Sequence, residues 1–172
     1  MQELSMNVLD VAENSVAAGA TLVAITLSID TAAKRMTLTI TDNGKGMPPE
    51  MAARVTDPFC TTRKTRKVGL GLPLLKMTAQ ATGGEMSIAS KPGEGTTVRV
   101  MFGLSHIDRP PMGDVPGVLY TLVLMNPTTD FRFALDYDGK TFVLDTREVR
   151  EAVAPIPLDH PEISAWIRDC LK

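Results

Sequence analysis

Two neighbouring stretches, 21–29 (Thr-Leu-Val-Ala-Ile-Thr-Leu-Ser-Ile) and 35–41 (Arg-Met-Thr-Leu-Thr-Ile-Thr), alternate apolar and polar side chains. Side chains along a strand point to opposite faces in turn, so each stretch is a strand with one buried and one wet face. Thr31 to Lys34 make the turn between them. Ahead of the pair, residues 3–18 place Leu4, Val8, Val11 and Ser15 or Ala12 near helical spacing, and Gly19 supplies a stop. The second strand does not turn straight back. It runs into Asp42-Asn43-Gly44-Lys45-Gly46-Met47-Pro48-Pro49, and the proline pair excludes a returning strand after a two-residue loop. Proline suits a first helical turn, so a short helix over 49–55 follows.

Further along, 56–69 is polar, basic and without an apolar period, which reads as a loop. Residues 70–82 return to helix, closed by Gly83-Gly84, and strands at 85–90 and 96–103 flank the turn Lys91-Pro92-Gly93-Glu94-Gly95. From His106 to Gly117, three prolines and two glycines mark a linker. The expected division is therefore a main domain over 1–105, a linker over 106–117 and a small extension over 118–172. In the extension we expect an apolar strand at 118–125 and a hairpin with arms 130–137 and 140–145 around Asp138-Gly139. A terminal helix, capped by Asp159, should bury Ile163, Trp166, Ile167 and Leu171.

Composition narrows function by exclusion. With 172 residues, 44% of them hydrophobic, the chain can bury a core without a disulfide or metal staple. Its 18 basic and 20 acidic residues argue against a dedicated nucleic-acid binder. No apolar run reaches membrane-span length, and Met-Gln-Glu-Leu-Ser lacks the basic start of a secretory signal. Cys60 and Cys170 have no Cys-x-x-Cys partner, so the expected compartment is a reducing cytoplasm.

Three segments carry chemistry. Asp10 and Asn14 stand four residues apart on one helix face, as a solvated surface or as a carboxylate and an amide oxygen aimed together at an ion or water. The Asp42 loop reads as a simple turn or as a place where backbone approaches something closely. Gly69-Leu70-Gly71-Leu72 opens a helix just after Arg63, Lys64, Arg66 and Lys67, a combination that favours an anion. No strand immediately precedes this helix and Leu74 takes the place of a third glycine, so a dinucleotide fingerprint fits poorly; no Gly-Lys-Ser/Thr follows, so it is not a Walker loop.

Taken in order, these segments, with Gly83-Gly84-Glu85 and Pro92-Gly93-x-Gly95-Thr96, resemble the GHKL (Bergerat-fold) ATPase superfamily over residues 3–103. That superfamily includes gyrase B subunits, MutL proteins, heat-shock chaperones and sensor histidine kinases. The first box, Asp10 to Ala20, is most similar to MutL; the stretch from Asp57 to Leu72 is similar to histidine kinases. The resemblance implies an α+β fold, a two-layer α/β sandwich whose mixed sheet is covered by helices on one face, here with a C-terminal strand–hairpin–helix extension.

The resemblance also implies ATP and Mg²⁺ as cofactors and assigns roles by position. Asn14 matches the magnesium ligand and Asp42 the acid that accepts a hydrogen bond from the adenine amine. Gly44 and Gly46 match glycines that bring backbone close to the base, Met47 a wall beside it, and Thr96 a threonine that reaches adenine. Residues 59–69 correspond to an ATP lid, in which Thr61, Thr62, Arg63 and Lys64 are candidates to touch phosphate. Gly69, Leu70, Gly71 and Leu72 hinge that lid and present helix amides to the phosphates.

Asp10 departs from the family. Hydrolysing members carry Glu there to orient and deprotonate the attacking water; Asp is one methylene shorter, and a displacement of about 1 Å costs about 10²-fold in rate. The chain begins almost at the first box, and its two histidines, His106 and His160, lie in the linker and beside a helix cap. Phosphorylation on a histidine of this chain is therefore not expected. Two functions remain open: an ATPase or protein kinase-like phosphotransferase working slowly with a signalling or regulatory partner, and an ATP-gated interaction module with little or no catalysis. A vestigial scaffold is a third. Assembly is left open, a homodimer included.

Overall fold

The two alternating stretches become the middle of a six-stranded sheet. A computed structural model describes residues 3–54, 71–104 and 111–171. Strand β1 (Leu22–Asp30) pairs antiparallel with β2 (Arg35–Asp42), placing Ile25 opposite Ile40 and Leu27 opposite Leu38. Strands β3 (Glu85–Lys91) and β4 (Gly95–Gly103) form a hairpin, and β4 lies antiparallel to β2. The second hairpin, β5 (Asp130–Tyr137) and β6 (Lys140–Asp145), joins the opposite side, with β5 parallel to β1. The order across the sheet is β3-β4-β2-β1-β5-β6.

One face of this sheet is apolar. Met36, Leu38, Ile40, Val98, Val100, Phe102, Val23, Ile25, Phe131 and Phe133 are all buried there. The alternate positions carry Thr26, Thr37, Thr39, Thr41 and Thr97. Helices cover the apolar face. Helix α1 (Leu4–Ala17) buries Leu4, Val8, Val11, Ala12 and Ser15, and ends at Gly19 with φ 81°. Its first free amides are met by chain from beyond the sheet: Leu4 N donates to Pro111 O (2.8 Å) and Ser5 N to Met112 O (3.0 Å). A short helix α2 (Pro49–Arg54) follows β2, and α3 (Gly71–Ala81) sets Leu72, Leu75 and Ala79 into the core. The basic loop expected over 56–69 lies outside the described residues, as do Cys60 and His106.

The expected strand at 118–125 is instead part of helix α4 (Val115–Met125). An unbroken apolar run has no polar positions to set a period, so periodicity alone does not separate a strand from a buried helix. The start signal was present: Asp114 caps the helix, its carboxylate accepting from Gly117 N at 3.0 Å, and Pro116 sits in the first turn. Leu119, Leu122 and Val123 are buried as α4 packs against α1. Helix α5 (Thr146–Val153) follows β6 directly. Helix α6 (Pro161–Leu171) buries Ile163, Ile167 and Leu171 against α4, but Trp166 is 53% exposed, contrary to the expected burial. Its cap is His160 rather than Asp159: with Pro161 at the first helical position, His160 Nδ1 accepts from Glu162 N at 3.3 Å. Among the described residues no helix is long and apolar enough to cross a membrane.

Two outcomes test this packing. Trp166, the one tryptophan, reports on α6, whereas far-UV circular dichroism reports on every element. Leu122→Ala should lower stability by about 2–5 kcal/mol and shift both signals together in urea; separate transitions would show that the C-terminal elements fold independently of the sheet. Asp145 caps α5, and the Arg147 side chain bonded to it holds its carboxyl below the usual carboxylate range against the opposing effect of burial. A lowered folded-state value stabilises above the unfolded value and is lost as pH falls through it. Asp145→Asn should therefore be less stable than the wild type at pH 7, with the deficit narrowing below about pH 4.

Candidate functional site

On the helix-facing side of the sheet the cross-strand row Ile88, Val98, Ile40, Ile25 gives way, one step on, to Ser90, Thr96, Asp42 and Val23. The apolar face thus ends in three polar side chains on adjacent strands. Asp42 is held from two directions: its Oδ2 accepts from Ser15 Oγ on α1 at 2.7 Å, and its Oδ1 accepts from Gly44 N at 2.8 Å. Each bond uses one lone pair of a group that only accepts when ionised, leaving further acceptor capacity. Ser15 is buried, and its neighbour Asn14, half-buried, lies with Asp10 on the same helix. A cavity of about 620 Å³ opens beside the row, walled by Asp42, Ser90, Thr96, Ile88, Pro49 and Ala52, among others.

The loop after Asp42 is laced to both neighbours. Asn43 Oδ1 accepts from Thr21 N (2.8 Å) and Leu22 N (3.0 Å), tying the loop to the start of β1. Lys45 N donates to Ala18 O at the end of α1, while Lys45 O accepts from Gly93 N in the β3–β4 turn. Met47 N donates to Ser90 Oγ at 2.8 Å. Gly46, with φ 68°, lies so close to that turn that a Cβ would come within 1.9 Å of Lys91 O. Gly95, with φ 113°, mirrors it from the other side, where a Cβ would meet Asp42 O at 2.0 Å. The close approach these glycines permit is to neighbouring backbone.

The structure therefore gathers Asn14, Asp42, Gly44, Gly46, Met47 and Thr96 at one end of the sheet. Asp42 and Thr96 line the cavity directly; Asn14 and Asp10 are not among its walls. Leu72 is buried in the core rather than at the surface, and Gly71 opens α3. Thr61, Thr62, Arg63, Lys64, Gly69 and Leu70 lie outside the described residues. Sequence reasoning gave no role to Ser15, Asn43 or Ser90. The signal for two of them was available: Ser15 interrupts the apolar stripe of α1, and Ser90 falls in the alternation of Met86 and Ile88 where an apolar residue is due.

Among the described residues no group of three or more His, Cys, Asp or Glu is placed to hold a metal ion. Asn14 carries a neutral amide oxygen, a donor of the kind that Mg²⁺ accepts beside phosphate and water.

The fold is thus a mixed sheet covered by helices on one face, with an anchored aspartate beside a cavity at its end. Residues 1–106 match the family described as histidine kinase-, DNA gyrase B-, and HSP90-like ATPase, and the chain belongs to that family. A sensor histidine kinase described as NtrY-like from Rickettsia bellii is 30% identical over 107 residues, covering 62% of this chain and 17% of that one. The sensor histidine kinase YkoH of Bacillus subtilis is 37% identical over 83 residues, covering 45% and 18%. The chain thus spans under a fifth of the length of these relatives. The Aquifex aeolicus MutL ATPase domain, solved with ADP, shares the fold at TM-score 0.53 and 16% identity over 96% of this chain and 86% of its own. The N-terminal domain of a DNA repair protein superposes at TM-score 0.58, 16% identical over 84% of this chain and 53% of that one.

Ser15→Ala removes a buried donor from Asp42 and should lower unfolding free energy in urea by about 1–3 kcal/mol. An unchanged midpoint would mean that the bond does not hold the carboxylate.

Proposed function

We propose that this chain binds Mg-ATP in the cavity at the end of the sheet and hydrolyses or transfers the terminal phosphate slowly, in concert with a protein partner. The observation that carries the reading is Asp42, a carboxylate fixed by Ser15 and Gly44 beside an open cavity. In this reading Asp42 accepts from the exocyclic amine of adenine and Thr96 hydrogen-bonds near it. Asn14 offers its amide oxygen to Mg²⁺, which when bound offsets phosphate charge. Met47 stands beside the base, with Gly44 and Gly46 shaping the loop that carries it. Thr61, Thr62, Arg63 and Lys64 are the candidates to contact the phosphates, and the Gly69–Gly71 segment is the candidate hinge. Asp10 orients the attacking water or acceptor.

The phospho-acceptor in this reading lies outside these residues. A signalling partner accords with the sensor histidine kinases among the relatives. Asp10, in the place of the family's glutamate, favours a second reading in which ATP binding gates an interaction and chemistry is minor.

Titration calorimetry should show Mg-ATP binding by the wild type and a loss of about 10–100-fold in Asp42→Asn, which loses the negative charge and one of the two acceptor oxygens. No binding by the folded wild type at millimolar ATP would leave only the scaffold. Single-turnover hydrolysis of labelled ATP should be slow and should rise up to about 10²-fold in Asp10→Glu. An inert wild type beside an active Asp10→Glu would select the gated module.

A further inference from the structure

We propose that Ser90 is a specificity-determining positioning residue of the nucleotide site. Its hydroxyl sets Thr96 as a hydrogen-bond acceptor beside Asp42, so that this end of the cavity admits a base bearing an amine and turns away one bearing a carbonyl. The inference rests on the nucleotide reading above and deepens it.

Ser90 Oγ lies 2.8 Å from Met47 N, 2.8 Å from Thr96 Oγ1 and 3.1 Å from Gly95 O. A serine hydroxyl has one hydrogen and two lone pairs. Met47 N–H only donates and the Gly95 carbonyl only accepts, so Ser90 accepts from the first and gives its hydrogen to the second. Its remaining lone pair can then take only the hydrogen of Thr96. All three bonds form in this one arrangement. In the alternative, with Ser90 donating to Thr96, the bond to Gly95 is lost.

The three-bond pattern consumes the single hydrogen of the Thr96 hydroxyl and leaves it lone pairs alone. Thr96 stands between Ser90 and Asp42 in the row, and an ionised Asp42 is an acceptor only. Two acceptors side by side match the hydrogens of an amine, or of a water it holds. A carbonyl oxygen in that place would face lone pairs from both. The same Ser90 hydroxyl fastens the Asp42–Met47 loop through Met47 N, so the reading of the base and the position of the loop share one atom.

The test is calorimetry of the full chain with Mg-ATP and with Mg-GTP. The wild type should prefer ATP. Ser90→Ala frees the Thr96 hydrogen to meet a carbonyl and should reduce the ATP-to-GTP affinity ratio about tenfold. Ser90→Thr, which restores the hydroxyl, should return the ratio. In a Thr96→Val background, Ser90→Ala should leave the ratio unchanged. Thermal melts check folding; should Ser90→Ala not fold, Ser90→Cys, a weaker donor and acceptor, carries the same expectation. Affinities that fall in parallel, with the ratio held, would overturn the proposal and leave Ser90 a support for the loop. A folded wild type that binds neither nucleotide would remove the nucleotide reading and this inference with it, whereas intact ATP binding with an unmoved ratio would remove Ser90's role alone.

Discussion

The Asp42 carboxylate is the point on which the rest of the structure turns. Half-buried at the end of β2, it has given up part of its hydration and needs donors in exchange. One comes from its own loop, Gly44 N; the other, Ser15 Oγ, comes from the helix layer. That second bond registers α1 against the sheet at a particular residue. With Lys45 N donating to Ala18 O at the helix end, it adds direction to an apolar packing that is itself non-directional. Once the register is set, Asn14 and Asp10 follow, because one helix carries all three.

The remaining elements act as braces around that joint. The loop from Asn43 to Met47 is tied to β1, to the end of α1 and to the β3–β4 turn, and Gly46 and Gly95 let its backbone and the turn come into contact. At the other end of α1, backbone from Pro111 and Met112 meets its first amides, and α4 packs along it. The C-terminal hairpin closes the arrangement by adding β5 alongside β1. An added methyl at Gly46 would collide with a carbonyl rather than a movable side chain, so the loop has little room to adjust.

Much of this was legible in the sequence, for identifiable reasons. The period-two alternation of β1 and β2, the glycine stops at Gly19 and Gly83, and the Asp138-Gly139 hairpin are local signals, and local physics decided them. The run at 118–125 is apolar at nearly every position and so carries no period, and its helical state is marked only by the Asp114–Pro116 start. Trp166, three residues after Ile163, fits helical spacing but lies at the edge of the stripe formed by the buried positions 163, 167 and 171, and the structure leaves it exposed. At the site, Asp42, Thr96 and the glycines could be picked from spacing and resemblance. The partners that orient them, Ser15, Asn43 and Ser90, could not, because each acts across the fold through one atom and no repeat or motif marks such a bond.

In the nucleotide reading we propose, the braced end of the sheet would read the base and helix α1 would address the phosphates. A crystal structure of the chain with Mg²⁺ and AMPPNP tests that reading most directly. The account predicts the adenine amine within hydrogen-bond distance of the Asp42 carboxylate and the triphosphate directed toward Asn14. A nucleotide bound elsewhere, or one in this cavity whose base makes no contact with Asp42, would contradict it.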